Sequence, residues 1–163
     1  VEEVKNRVAV VTGATDEIGS AVCRRLAGNG AIVVAVDSDR QKVDGLVAEL
    51  TKINPKAMGA TIDTASEEQI RSMIADVTAK AGMIDILVNN FDHCDAKALD
   101  DVSRDQWRLS FDRNVDPIFF MIREILPGMK ARKYGRVVNI GSYPTSACRT
   151  FPATRPPNRP FSD

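Results

Sequence analysis

The sequence predicts an α/β fold, a doubly wound parallel sheet of about five strands in the order 3-2-1-4-5. Three observations carry that expectation. Short β-rich runs alternate with stretches of helical period from Arg7 to Ile140, and strands separated by helices pair in parallel through crossovers. The runs are almost continuously apolar, as in a sheet covered on both faces. A glycine turn, Thr12-Gly13-Ala14-Thr15-Asp16-Glu17-Ile18-Gly19, joins the first run to the first helical stretch.

Each element has its own signal. Arg7 to Val11 reads as the first strand. Ile18, Ala21, Val22 and Leu26 then recur at helical spacing, and Gly28-Asn29-Gly30 is a C-terminal stop. Ala31 to Val36 is a second buried strand. Ser38 with Gln41 makes a capping-box pattern ahead of Val43, Leu46, Val47 and Leu50. Lys56 to Ile62 is a weaker third strand. Ser66 with Gln69 repeats the box ahead of Ile70, Met73, Ile74 and Val77. Ile84 to Val88 is the fourth strand, and a polar loop follows from Asn89 to about Asp101. Ser103 with Gln106 opens a longer helical region to Lys133, which Pro117 and Pro127 should kink or divide. Trp107 and Phe111, four apart, are expected in the core. Arg136 to Ile140 is the fifth strand.

Composition excludes several function classes. The 163 residues carry 22 basic and 22 acidic side chains, so no global charge steers the chain to nucleic acid or an anionic membrane. No apolar run reaches membrane-spanning length and no signal peptide is visible. The cysteines, Cys23, Cys94 and Cys148, are odd in number and irregularly spaced, which implies reduced thiols and a cytoplasmic setting. Asp92-His93-Cys94-Asp95 is contiguous and the chain has no second histidine, so no metal site is expected. The sequence begins at Val1, consistent with removal of a few N-terminal residues.

The glycine turn carries the chemistry. A strand, a tight turn and a helix start bring unpaired N–H groups and a partial positive charge to an anion. Gly13 suits the tight turn, and Gly19 suits close packing of the first helical turn. Asp37 closes the second strand, where an acid can accept hydrogen bonds from an adenosine ribose. A carboxylate there favours a free 2′-hydroxyl, hence NAD over NADP, and Arg40 nearby softens the preference.

Several motifs in order then resemble the short-chain dehydrogenase/reductase family and its Rossmann-type fold. Val8 to Gly19 resembles the family's first strand and Thr-Gly-x-x-x-Gly-x-Gly turn. Ile84-Asp85-Ile86-Leu87-Val88-Asn89-Asn90 resembles its fourth strand, which normally ends Asn-Asn-Ala-Gly. Asn114-Val115 resembles the mid-helix asparagine of its catalytic tetrad, and Gly135 to Ser142 the strand that delivers its serine. The resemblance covers about residues 5 to 142. It implies cofactor contacts from Gly13, Thr15, Asp16, Ile18, Gly19, Asp37, Asp63 and Asn89, and catalytic roles for Asn114 and Ser142. It implies hydride transfer between a nicotinamide cofactor and a small-molecule alcohol or ketone, with a tyrosine moving the proton and a lysine lowering its pKa. It also implies a homo-oligomer through the 103–133 helical region, whose apolar stripe is Val115, Ile118, Ile122, Ile125, Leu126 and Met129.

The departures cluster. No Tyr-x-x-x-Lys occurs in the sequence: Tyr134 is followed four later by Val138, and Tyr143 by Ala147. The expected positions fall near Arg155 and Arg159, and arginine cannot donate the proton because its pKa lies above about 12. Glu17 replaces the middle glycine. A carboxylate about 5 Å from a phosphate costs about 3 kcal/mol at an effective dielectric near 20, so cofactor binding is expected to be weakened. Phe91-Asp92 adds bulk and charge after the fourth strand, and Asp116-Pro117 follows Asn114-Val115.

The expected organisation is a dinucleotide-binding domain over 1–142 and an irregular Pro/Arg-rich tail over 143–163. The tail holds five of the eight prolines, with Arg149, Arg155 and Arg159 against one acid, Asp163. Relative to the family the chain reads as truncated or divergent after Ser142, which would leave the fifth strand an exposed edge. Three readings stay open: an NAD-dependent dehydrogenase with impaired catalysis, a non-catalytic NAD-binding domain, or a truncated or frame-shifted product without activity of its own.

Overall fold

Period-two alternation along the apolar strands sorts the core into two layers. The computed structural model describes residues 4–93 and 99–141; Ser142, the 143–163 tail and Cys94 lie outside the described residues. The elements are β1 (Val8–Thr12), α1 (Glu17–Gly28), β2 (Ile32–Asp37), α2 (Arg40–Ile53), β3 (Met58–Thr61), α3 (Glu67–Ala81), β4 (Ile84–Asn90), α4 (Arg104–Asn114), α5 (Asp116–Ala131) and β5 (Arg136–Ile140). The strands form one parallel sheet in the order β3-β2-β1-β4-β5. Val10, Val34 and Leu87 face α3 and α5, meeting Ile70, Met73, Met121 and Ile125. Ala9, Val11, Val33 and Val88 face α1 and α2, meeting Cys23, Ala27, Leu46 and Leu50. Burial pushes the Cys23 thiol up to about 12, so it packs as a small uncharged group.

The helices end where their local chemistry ends them. Asp39, not Ser38, caps α2 by accepting from the Lys42 N–H (3.2 Å). The helix starts at Arg40, which leaves Ser38 one residue too early to reach. Ser66 caps α3, but Gln69 reaches past it to the Asp63 N–H (2.9 Å) instead of closing the box. At α4 the box is complete: Ser103 accepts from Gln106 N–H (3.2 Å) and Gln106 Oε1 accepts from Ser103 N–H (3.0 Å). The long helical region divides at Val115, with Pro117 in the first turn of α5, where a missing N–H is harmless, and Pro127 inside it. Arg24 forks onto Glu49 (2.6 and 3.0 Å), joining α1 to α2 and holding the Glu49 carboxyl below its usual range. Glu67 pairs with Arg71 and Arg123, joining α3 to α5.

Two packing expectations need correction. Trp107 is 54% exposed and meets Phe111 in a tilted ring contact at 5.2 Å between centroids, since α4 buries none of its residues. The buried line of α5 is Pro117, Met121, Ile125 and Met129. Of the apolar stripe expected to face a partner, Ile125 and Met129 instead belong to this buried line and pack in the chain's own core, while Val115 is exposed. Among the described residues no helix is long and apolar enough to cross a membrane. β5 is exposed along four of its five residues, with Val138 48% exposed, and it forms one edge of the sheet.

A buried charge holds the centre of the sheet in register. Val8 pairs with Ile84, but Ala9 pairs with Ile86, so the ladder slips by one residue at Asp85. Asp85 is only 5% exposed. Its Oδ2 accepts the Val8 N–H (3.1 Å), and its Oδ1 lies 2.8 Å from Arg132 and 3.5 Å from Arg7. Arg132 also donates to the Ile84 carbonyl (2.7 Å), closing the arrangement from α5's C-terminal end. Asp85→Ala leaves the Val8 N–H and Arg132 Nη1 without their acceptor. It should lower unfolding stability by about 2–4 kcal/mol, read as a fall in the urea midpoint; a loss below about 1 kcal/mol would show that the bulge holds without its carboxylate.

Candidate functional site

The glycine turn folds back onto β4. Gly13 has φ +57°, and a Cβ on it would overlap the Asn90 carbonyl oxygen. A Cβ on Gly19 would overlap the Gly13 carbonyl oxygen, so the first turn of α1 sits directly on the loop. Ala14 N–H donates to the Val36 carbonyl (3.1 Å), tying the loop to β2 as well. Asp16 is the N-cap of α1. Its Oδ1 accepts the Gly19 N–H (2.6 Å), and its Oδ2 accepts Asn90 Nδ2 (2.8 Å). Asn90 Nδ2 donates also to the Gly13 carbonyl (3.1 Å), and Asn90 N–H to Thr12 Oγ1 (3.0 Å). One asparagine therefore gathers strand, turn and helix cap.

Two further acids are held by the backbone around them. Asp37, at the end of β2, accepts from the Thr15 N–H (3.0 Å) and Thr15 Oγ1 (2.7 Å) with one oxygen, and from the Ser38 N–H (2.7 Å) with the other. Asp63 accepts from the Ala65 N–H (3.0 Å). These groups open onto a crevice of about 590 Å³ outside the carboxyl ends of the strands, at the switch between β1 and β4. Its acidic lining is Asp16, Asp37, Asp63 and Asp92; its cationic lining is Lys42 and Arg113. Lys42 Nζ lies 3.7 Å from Asp39. Arg40, by contrast, pairs with Asp44 (3.6 Å) and does not line the crevice.

The far wall is built at the α4–α5 break. Asn114 ends α4; its Oδ1 accepts the His93 N–H (2.8 Å) and its Nδ2 donates to the carbonyls of His93 and Ser110 (both 2.9 Å). That reciprocal pair fixes the chain leaving β4. Arg113 lies 3.2–3.3 Å from both ring nitrogens of His93. Ser142, expected beside Asn114, lies outside the described residues.

The structure thus gathers Gly13, Thr15, Asp16, Asp37 and Asp63 at one crevice, and Asn114 behind its wall. Gly19 is buried beneath the turn. Ile18 is 55% exposed and, with Glu17, lines a shallow furrow on α1 outside the crevice. The acid that reaches the crevice from the turn is therefore Asp16, not Glu17. Asn89 points to the opposite face: its Nδ2 donates to Asn139 Oδ1 (2.8 Å), and its own Oδ1 is buried with no hydrogen-bond partner among the described residues. Asn90 is the residue that sequence reasoning passed over. The alternation Ile86, Val88, Asn90 would have placed it on the α1 side of the sheet.

The family profile described as short chain dehydrogenase matches residues 7–150. Meso-2,3-butanediol dehydrogenase of Serratia marcescens is 35% identical over 137 residues, 84% of this chain and 53% of that protein. NAD+-bound xylitol dehydrogenase superposes with a TM-score of 0.82 at 27% identity, covering 91% of this chain and 60% of that one. A metagenomic short-chain oxidoreductase in complex with NADP superposes with a TM-score of 0.81 at 30% identity, covering 86% and 64%. The chain spans about half the length of the curated relatives it matches.

The turn depends on the close approach of Gly13 to Asn90. Gly13→Ala adds a Cβ at positive φ against backbone that cannot retreat. It should lower stability by about 1–3 kcal/mol, read as a drop in the thermal midpoint. A variant as stable as the parent would show that the turn can be rebuilt without that approach.

Proposed function

The chain belongs to the short-chain dehydrogenase family, and from that premise we propose that its crevice takes the adenosine half of a nicotinamide dinucleotide, NAD in preference to NADP. The observation that carries this reading is Asp37, a carboxylate at the end of β2 on the crevice wall. A 2′-phosphate would meet that negative charge, whereas a ribose hydroxyl can donate to it. The side-chain-free floor at Gly13 supports the fit, since a Cβ there would fill space against Asn90. Asp63 stands on the same wall for the adenine end. A bound nicotinamide would supply or accept the hydride exchanged with an alcohol or ketone.

Catalysis by this chain is proposed to be weak. Asn114 grips the backbone of His93, a positioning role, and Ser142 would meet the substrate oxygen. No described tyrosine stands in for the missing proton donor. Tyr134 lies before β5 with Arg7 over its ring at 3.9 Å and Arg136 at 5.2 Å, away from the crevice. Loss of a positioned acid–base lowers rates by about 10² to 10⁴. Binding without turnover is the second reading, favoured by the absence of Tyr-x-x-x-Lys. Exposed Trp107, Phe111, Val115 and Phe119 on α4 and α5 support self-association through this region.

Calorimetric titration with NAD+ and NADP+ tests the cofactor reading. NAD+ should bind at least about tenfold tighter, and Asp37→Ser should narrow the gap mainly by weakening NAD+. Tighter NADP+ binding, or an unchanged ratio in Asp37→Ser, would overturn it. An NADH-linked rate on a 2,3-diol or sugar alcohol that vanishes in Ser142→Ala would favour the enzyme over the binding module. For self-association, sizing across a hundredfold concentration range (roughly micromolar upward) should show species larger than one chain; a monomer throughout would refute it.

A further inference from the structure

We infer that Asp16 makes the crevice discriminate against the diphosphate of its ligand, so that nucleosides are favoured over diphosphate-bearing nucleotides. The inference rests on the cofactor reading above and concerns the other end of the same site. A helix start is ordinarily where an anion is received, by N–H groups of the first turn and the positive end of the dipole. Here the chain supplies its own anion. Asp16 Oδ1 takes the Gly19 N–H at 2.6 Å, and Oδ2 takes Asn90 Nδ2 at 2.8 Å. Both carboxylate oxygens are held, one by the helix and one by β4.

That double anchoring distinguishes Asp16 from Glu17. Both are solvent-exposed, but Glu17 lies on the outer furrow of α1 and can turn away from the crevice. Asp16 lines the crevice, and swinging it away would strip α1 of its cap and Asn90 of its partner. An arriving diphosphate therefore meets a fixed like charge at the turn. The lining does not offset it: Asp37, Asp63 and Asp92 are acids, against Lys42 and Arg113. Adenosine carries no phosphate and is indifferent to Asp16.

The experiment titrates the full chain with adenosine and with ADP-ribose at low salt, in the parent, Asp16→Asn and Asp16→Ser. Asparagine and serine both cap helices, so α1 should survive, and thermal melts check that it does. Asp16→Asn keeps the cap but turns a neutral amide toward Asn90 Nδ2, which keeps its bond to the Gly13 carbonyl; Asp16→Ser keeps the cap and removes that arm. In both variants ADP-ribose should bind at least about tenfold tighter, the gain shrinking as salt rises, while adenosine changes by less than about twofold. Equal shifts for the two ligands, or no shift in a parent that binds adenosine, would overturn the inference alone. A parent that binds adenosine no better than Asp37→Ala does would overturn the cofactor reading, and this inference with it.

Discussion

The approach of the Gly13 backbone to Asn90 is the constraint on which the rest of the site depends. Nothing larger than hydrogen fits between them. That closeness puts Asn90 Nδ2 within reach of both the Gly13 carbonyl and the Asp16 carboxylate. Asp16 in turn caps α1 through Gly19, whose own lack of a side chain lets the helix rest on the loop. The two glycines are thus one feature: the first lets the turn touch β4, and the second lets the helix touch the turn. Lengthening either contact by a methyl group separates the helix start from the strand ends, and the crevice is the space between them.

This crowding is supported by a rigid sheet beneath it. β1 and β4 are buried along their whole length, and α1 and α2 cover one face while α3 and α5 cover the other. At the amino end of the same strand pair, the Asp85 bulge and its arginines set the register. At the carboxyl end, Asn90 and Thr12 set the turn. The strand pair is therefore pinned by polar side chains at both ends and by apolar packing between. β5 has no such support on its outer side among the described residues, which is why its valines stand exposed while those of β1 do not.

Much of the fold was legible because it rests on periods and local chemistry. Strand order, the five apolar runs, the α3 and α4 caps and the division of the long helix all follow from residue spacing and proline. What was misread depended on which way a side chain points. Glu17 and Asp16 are adjacent acids, and only the helix geometry turns one outward and the other into the crevice. Asn89 and Asn90 are adjacent amides on opposite faces of a strand. Trp107 and Phe111 sit at a spacing that suits a core, but they meet each other, ring tilted on ring, because α4 buries none of its residues. Spacing identifies a face; it does not say whether anything packs against that face.

On the proposed cofactor reading, the loop and a ligand would share the Asp37 carboxylate. A carboxylate offers about four acceptor positions. Three are taken, by the Thr15 N–H, the Thr15 hydroxyl and the Ser38 N–H. A ribose can take the fourth, or it can displace the Thr15 hydroxyl, which can turn to another acceptor while the backbone N–H stays in place. In either case the loop remains tied to β2 through Thr15 N–H and through Ala14 N–H on Val36. The end of the crevice proposed for adenosine is thus preorganised, its acid aimed by backbone donors. The turn end is preorganised around an anion of the chain's own. On the two proposals above, one device, a carboxylate held in place by protein N–H donors, favours a hydroxyl donor at one end of the crevice and opposes a phosphate at the other.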